Sequence, residues 1–165
     1  MDLFFHLSLH ILTSIMAGYI VWKIWKKPIA AFLTAFIGGV LIDLDHLIDY
    51  FLAFGLSFNL EYFAKGYQFL KSDKIYILFH GWEYVIILIV LAIWIIKNKT
   101  AKSVFLALAR GLFFHLSVDC ITNDGAKIST YSIIYRTKNN FDLNPLVTPE
   151  HYQEHQMRRK DLRTL

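Results

Sequence analysis

The sequence predicts an all-α integral membrane bundle of about four membrane-embedded helices, followed by a short C-terminal helix. Of its 165 residues, 56% are hydrophobic and only 18% are charged, which is too apolar a balance for an ordinary soluble domain. The apolar residues gather in four long segments separated by short polar connections. Aromatic residues make up 16% of the chain and include four tryptophans, a residue type that anchors helices at the borders of a bilayer.

The first segment, residues 1–25, is predicted to be a helix that the protein retains. It begins with the acidic residue Asp2 and has neither the basic start nor the small-residue cleavage site of a signal peptide. His6 and His10 are four residues apart and therefore lie on one face of this helix. For His6, the favoured interpretation is a packed, hydrogen-bonded residue without a metal.

The second helix ends in a dense polar cluster. After a basic loop around Lys26, residues 29–42 carry no charge, and then three carboxylates and one imidazole follow within seven residues: Asp43, Asp45, His46 and Asp49. On one continuous α-helix these four side chains share an arc of about 160°. Carboxylates this close repel one another unless a cation lies among them. The cluster thus predicts a divalent metal, although a solvated helix end would explain it equally well on its own.

The third and fourth segments each carry a histidine and an acidic residue at helical spacing, and the fourth also carries Lys102 and Arg110. Residues 75–96 are interrupted only by His80 and Glu83, three apart, and residues 101–121 contain His115 and Asp119, four apart. Both spacings place the two partners on one helix face. No run of eighteen residues is free of ionisable groups, so partly interfacial segments remain an alternative to full spans.

The remainder of the chain is connection and tail. Residues 54–74 are interpreted as a lid or an interfacial helix, and Thr148-Pro149 predicts the start of a last helix that reaches about residue 160. The predicted domains are a membrane-embedded metal-site domain, 1–138, and a polar tail, 139–165. His151 and His155 share a face of the last helix and are interpreted as a solvated surface pair.

Four helices that alternate across a bilayer bring every ionisable cluster to the same side. The two connections on the opposite side contain lysines and no acid. Because basic short loops favour the cytoplasm, the site is predicted on the outer, periplasmic or extracellular side of an inner or plasma membrane. The basic tail, which includes Arg158 and Arg163, argues for the opposite orientation.

Composition also excludes some classes of protein. The net charge is +4, but the basic residues lie in short loops and the tail, and no basic recognition element is present, so no nucleic-acid partner is predicted. A single cysteine, Cys120, rules out an intrachain disulfide. The predicted partners are a lipid bilayer and a small-molecule or lipid substrate.

Three segments resemble a family of membrane-bound, metal-dependent hydrolases, some of which are known as LexA-binding, inner-membrane-associated hydrolases. The matching elements are Asp43-Leu44-Asp45-His46, His80 at the opening of the third segment, and the run from His115 through Asp119 and Thr122 to Gly125. The segment that begins at His10 resembles the family's N-terminal histidine segment, which favours His10 over His6. The resemblance covers about residues 6–136.

The resemblance implies metal-binding roles for seven residues: His10, Asp43, Asp45, His46, His80, His115 and Asp119. Two departures from the family pattern stand out. Ile42 occupies the position of a usual proline, and the third segment offers only His80, with Glu83 nearby, where the family has two histidines and an arginine. We therefore consider Glu83 a substitute ligand or base.

The predicted function is metal-dependent hydrolysis at a membrane surface. One or two divalent ions, zinc first and otherwise manganese, iron or magnesium, would lower the pKa of a bound water, and one carboxylate would bridge two ions. Asp49 or Glu83 would accept the proton of that water, and the substrate would be a phosphoester or a lipid-linked compound. The alternatives are a metal-binding membrane transporter or sensor, and a structural membrane protein with a buried His/Asp network.

Overall fold

The computed structural model describes residues 3–162, and the chain is all-helical throughout that range. It contains no β-strand between residues 3 and 162, only two isolated bridges, which join Lys74 to Asp142 and Ala126 to Val147. Asp2 and Arg163, which entered the predictions for the first helix and the tail, lie outside the described residues. The all-α fold class is thereby confirmed.

Ten α-helices are present between residues 3 and 162. They are α1 (Leu3–Trp25), α2 (Pro28–Gly39), α3 (His46–Phe54), α4 (Leu60–Ala64), α5 (Tyr67–Ser72), α6 (Trp82–Val90), α7 (Lys99–Thr122), α8 (Ile133–Lys138), α9 (Leu143–Leu146) and α10 (Pro149–Leu162). A 3₁₀ turn covers Leu41–Asp45, a second covers Ile128–Tyr131, and a π-helical turn, Leu91–Ile95, extends α6.

The chain divides into two compact units, each assembled from segments that are distant in sequence. The first unit comprises Met1–Asp43 and Phe79–Thr122, and the second comprises Leu44–Leu78 and Asn123–Leu165. Helices α1, α2, α6 and α7 belong to the first unit, and the other six belong to the second. The boundary that the sequence suggested, between residues 138 and 139, stays a prediction.

Small residues dominate the core of the first unit. Helix α7 packs against α1, α2 and α6, and α1 also packs against α2. Ala17, Ala31, Ala35 and Ala107 are fully buried where these helices meet. Because alanine adds only a methyl group, the backbones come close together, as is common where helices associate within membranes.

Two glycines set the closest approach of α2 and α7. A Cβ added at Gly111 would collide with the backbone carbonyl of Ala35, and one added at Gly38 would collide with that of Leu108. Backbone atoms cannot move aside as a flexible side chain can. Glycine is therefore required at both positions for the observed separation of the two helices.

We expect Gly111→Ala to destabilise the first unit. The added methyl group forces α7 away from α2, and overpacking of this kind costs about 1–3 kcal/mol. Thermal unfolding of the detergent-purified full-length protein measures the loss. Ser117→Ala is the control, because Ser117 lies on the same helix and its hydroxyl donates to the Phe113 carbonyl four residues back. Equal melting temperatures for both variants would contradict the close-approach explanation.

Between residues 3 and 162, two helices are long and apolar enough to cross a membrane. They are α1, over Phe4–Trp25, and α7, over Lys99–Thr122, and of an apolar 18-residue stretch in each only 28% and 39% respectively is buried inside the protein. Large apolar side chains therefore face outward: Leu12 is 64% exposed and Ile121 is 83% exposed. A helix that is apolar on its outer surface is typical of a membrane span.

The candidate spans found between residues 3 and 162 do not confirm the four that the sequence suggested. The pair formed by Pro28–Gly39 and Leu41–Phe54 passes the same length and composition test only when taken together, which gives at most three spans among the described residues. The third predicted helix, over 75–96, begins only at Trp82, and Trp82–Ile95 is shorter than a span. A four-span bundle is not confirmed.

The polar cluster at the end of the second predicted helix does not lie on one α-helix. Helix α2 ends at Gly39, the 3₁₀ turn Leu41–Asp45 follows, and α3 starts at His46. Because a 3₁₀ helix has three residues per turn, the single arc expected for the cluster does not exist. Asp43 belongs to the first unit, whereas Asp45, His46 and Asp49 belong to the second.

An aromatic cluster forms part of the core of the second unit. Tyr50, 1% exposed, stacks on Phe54 and contacts the ring edges of Phe58 and Phe63. Helix α5 packs against α3, α4 and α10. The second unit therefore has its own apolar core.

Asp73 ties α10 to the end of α5. Its carboxylate accepts a hydrogen bond of 2.6 Å from Arg159 Nη1 and lies 3.1 Å from His155 Nε2. His155 is only 7% exposed, so its interpretation as a solvated surface residue is wrong. Burial lowers the pKa of His155 below that of a free imidazole, with Asp73 acting in the opposite direction.

Candidate metal centre

The predicted pair on α7 faces the interior of the first unit. His115 is fully buried and Asp119 is 3% exposed. Since the two residues are one helical turn apart, their side chains meet, with His115 Nε2 lying 3.3 Å from Asp119 Oδ2. Helix α7 therefore offers two neighbouring candidate metal ligands, one imidazole nitrogen and one carboxylate oxygen.

The close approach of α2 and α7 orients the His115 ring. Its Nδ1 donates a hydrogen bond of 3.1 Å to the carbonyl of Gly39. A proton on Nδ1 leaves the lone pair of the neutral ring on Nε2. Histidines that bind metals are commonly fixed in this way, by a carbonyl that accepts from the other ring nitrogen.

His80 joins the pair from the chain that precedes α6. It is fully buried, and its Nε2 lies 2.9 Å from His115 Nε2 and 3.8 Å from Asp119 Oδ2. The expectation that His80 and Glu83 share one helix face is wrong, because α6 begins only at Trp82. His80 therefore lies in the non-helical connection before α6, and helical spacing does not determine where its side chain lies.

Asp43 brings a second carboxylate to the same two imidazoles. Its Oδ1 lies 3.3 Å from His80 Nε2 and 3.4 Å from His115 Nε2. Asp43 is the member of the polar cluster that falls in the first unit. Two nitrogen atoms and oxygens from two carboxylates thus surround one region of this unit.

Helix α1 contributes two histidines on the other side of Asp119. His10 is fully buried, and its Nε2 lies 3.2 Å from Asp119 Oδ1. His6 Nε2 lies 2.9 Å from His10 Nε2 and 3.5 Å from Asp119 Oδ1. Sequence reasoning assigned His6 to packing, although its spacing from His10 already put both rings on one face.

The spacing of these atoms suits a divalent ion. Ligands at about 2.0–2.1 Å from a tetrahedral zinc lie roughly 3.3–3.4 Å from one another. Five of the Nε2-to-oxygen separations in the cluster fall between 3.2 and 3.5 Å. Buried Asp119 Oδ1 accepts no hydrogen bond from residues 3–162 and lies within 3.5 Å of the Nε2 atoms of His6 and His10. The donor set fits a metal.

Three predicted site residues lie in the second unit. His46 is half-buried and has its ring against the edge of Phe69, and Asp45 is 3% exposed. Asp49 Oδ1 accepts a hydrogen bond from the Tyr76 amide at 2.7 Å, and its Oδ2 accepts one from the Ile77 amide at 2.9 Å. The roles of Asp45 and His46 as ligands, and of Asp49 as a base, stay predictions.

Glu83 is separate from the ligand groups of the first unit. It lies in the first turn of α6 and is half-buried, and a Cβ added at Gly81 would lie 3.1 Å from its Oε2. It belongs to none of the metal-binding groups found among the described side chains. Its role as a substitute ligand or base stays a prediction.

The fold and the centre together define an all-helical protein with two candidate membrane spans and a buried His/Asp cluster that can hold a divalent ion. No protein-family model, no curated protein and no solved structure matches the chain. The likeness to membrane-bound hydrolases therefore rests on the sequence motifs alone.

Proposed function

We propose that the protein is a membrane-bound, metal-dependent hydrolase. The observation that supports this most strongly is the convergence of four imidazole Nε2 atoms and two carboxylates in the unit that contains both candidate membrane spans. Ionisable residues in such helices are expensive to bury and are functional candidates by default. The metal ligands of the proposal are His10, Asp43, His80, His115 and Asp119.

The bound ion supplies a water of lowered pKa and neutralises charge on the substrate. The protein supplies the arrangement around it. Gly39 holds the His115 ring through its carbonyl, and Asp119 presents one carboxylate oxygen to α1 and the other to His115. These contacts fix the ligand side chains in place, as an electrostatically organised site requires.

The place of the centre along the helices supports a substrate at the membrane surface. His6 and His10 lie near the start of α1, and Asp119 lies in the last turn of α7. At 1.5 Å per residue, His10 is only about 10 Å from the first described residue of its helix. A phosphoester in a lipid head group reaches this depth, which favours a phosphoester or lipid-linked substrate. The outer face of an inner or plasma membrane is the proposed side.

We expect the full-length protein in nanodiscs to hydrolyse a phosphoester in a metal-dependent way. The assay uses bis(p-nitrophenyl) phosphate and a phospholipid, before and after treatment with a chelator. Removal of the ion takes away the activated water, so the rate falls at least about 100-fold and returns with Zn²⁺ or Mn²⁺. Ser117→Ala, on the same helix as His115, should keep the full rate.

Two other outcomes of this experiment would favour the alternative functions, a transporter or sensor and a structural protein. Stoichiometric metal without turnover of either substrate would favour a transporter or sensor. A protein that stays empty of metal, even after loading, would overturn the proposal and leave a buried polar network that only holds the helices together.

A further inference from the structure

We propose that the centre holds two divalent ions that share Asp119, and that His6 completes the outer position. This inference rests on the proposed function and deepens it, because it says how many ions the site takes and which of them meets the substrate. The inner position is formed by His80, His115 and Asp119 Oδ2, with Asp43 Oδ1 beside the two imidazoles. The outer position is formed by His6, His10 and Asp119 Oδ1.

The two oxygens of Asp119 face different histidines. Oδ1 lies 3.2 Å from His10 Nε2 and 3.5 Å from His6 Nε2. Oδ2 lies 3.3 Å from His115 Nε2 and 3.8 Å from His80 Nε2. A carboxylate placed in this way bridges two ions, which in dinuclear hydrolytic sites lie about 3.5–4 Å apart. The buried Oδ1, which lacks a hydrogen-bond donor within residues 3–162, is the atom that faces the outer pair.

The two positions differ in the number of protein ligands. Each has one partly exposed member, because the side chain of Asp43 in the inner position is 31% exposed and that of His6 in the outer position is 20% exposed. The inner position has four candidate ligands among the described residues, and the outer position has three. Catalytic zinc sites keep such an open position for water and substrate, whereas structural sites are closed by four protein ligands. His6, His10 and Asp119 would therefore hold the ion whose open position is left for water and a substrate oxygen.

Thr122 is the positioning residue of the outer site. Its hydroxyl has one proton, which it donates to the carbonyl of Val118 at 2.8 Å. The Thr122 oxygen, 3.2 Å from His6 Nδ1, must then accept a proton from that ring nitrogen. Protonation at Nδ1 leaves the Nε2 lone pair of His6 directed at the outer position. Gly39 does the same for His115 in the inner position, so each half of the centre has one orienting partner.

Titration of metal-free, full-length protein with Co²⁺ tests the inference. Mass spectrometry counts the bound ions, and the visible spectrum of Co²⁺ reports the coordination of each. We expect two equivalents in the wild type and one in His6→Ala. Thr122→Val should weaken the second equivalent about ten-fold, in the range typical of a lost orienting partner, and Thr122→Ser should restore it. Thr137→Val is the matched control, because Thr137 makes the same bond to a carbonyl four residues back and is exposed in the second unit.

The outcomes distinguish this inference from the proposed function. One equivalent in both wild type and His6→Ala would overturn the outer position and leave a mononuclear hydrolase standing. Two equivalents in both proteins would overturn the role of His6. No bound ion in the wild type would overturn the proposed function itself.

Discussion

The Asp119→Asn variant should lose nearly all bound metal. The substitution replaces an anion with two ligand oxygens by a neutral amide with one, at the residue that contacts His10 on one side and His115 on the other. Loss of a residue that only hydrogen-bonds to a metal ligand lowers metal affinity about 10–100-fold. Loss of a charged ligand that both positions share should lower the affinity further. We expect less than about one tenth of the wild-type metal content by mass spectrometry, and a hydrolysis rate at least 100-fold lower.

Two further variants make this result interpretable. Asp124→Asn changes the same chemical group at an exposed position in the turn after α7 and should leave metal content unchanged. Asp119→Glu keeps the charge and should retain part of the metal. Helical content by circular dichroism confirms that each variant folds. A folded Asp119→Asn protein with wild-type metal content would show that Asp119 serves only a polar network.

Sequence reasoning succeeded where the relevant contacts are local. His115 and Asp119 are one turn apart on a long apolar helix, and α7 places them together as the spacing predicts. His6 was assigned to packing because its partners, Asp119 and Thr122, are more than a hundred residues away in the chain. Only the packing of α1 against α7 brings them within reach.

Long-range hydrogen bonds also explain why the third predicted helix starts late. Residues 75–79 are apolar and read as the beginning of a helix. In the structure, Asp49 accepts the amides of Tyr76 and Ile77, and Arg136 Nη2 donates to the Ile77 carbonyl at 3.0 Å. Backbone groups held by these two buried side chains are not free to form a helical turn. No pattern within residues 75–79 reveals this.

The second large effect concerns Asp49, which the sequence offered as the base that accepts the proton of the metal-bound water. Both of its oxygens accept backbone amides within the second unit. Asp49 is 3% exposed. Loss of the carboxylate leaves two backbone amides without their acceptor.

We therefore expect Asp49→Ala to destabilise the protein by about 2–6 kcal/mol, at about 1–3 kcal/mol for each of the two amides left without an acceptor, while the folded protein keeps its metal. Thermal unfolding in detergent measures the first effect, and metal content of the folded fraction measures the second. Asp49→Asn should lose less stability, because its amide oxygen still accepts one bond, and exposed Asp124→Ala should lose almost none. Folded Asp49→Ala protein without metal would instead return Asp49 to the metal centre, since a purely structural clamp has no reason to change the affinity of His80, His115 and Asp119 for an ion.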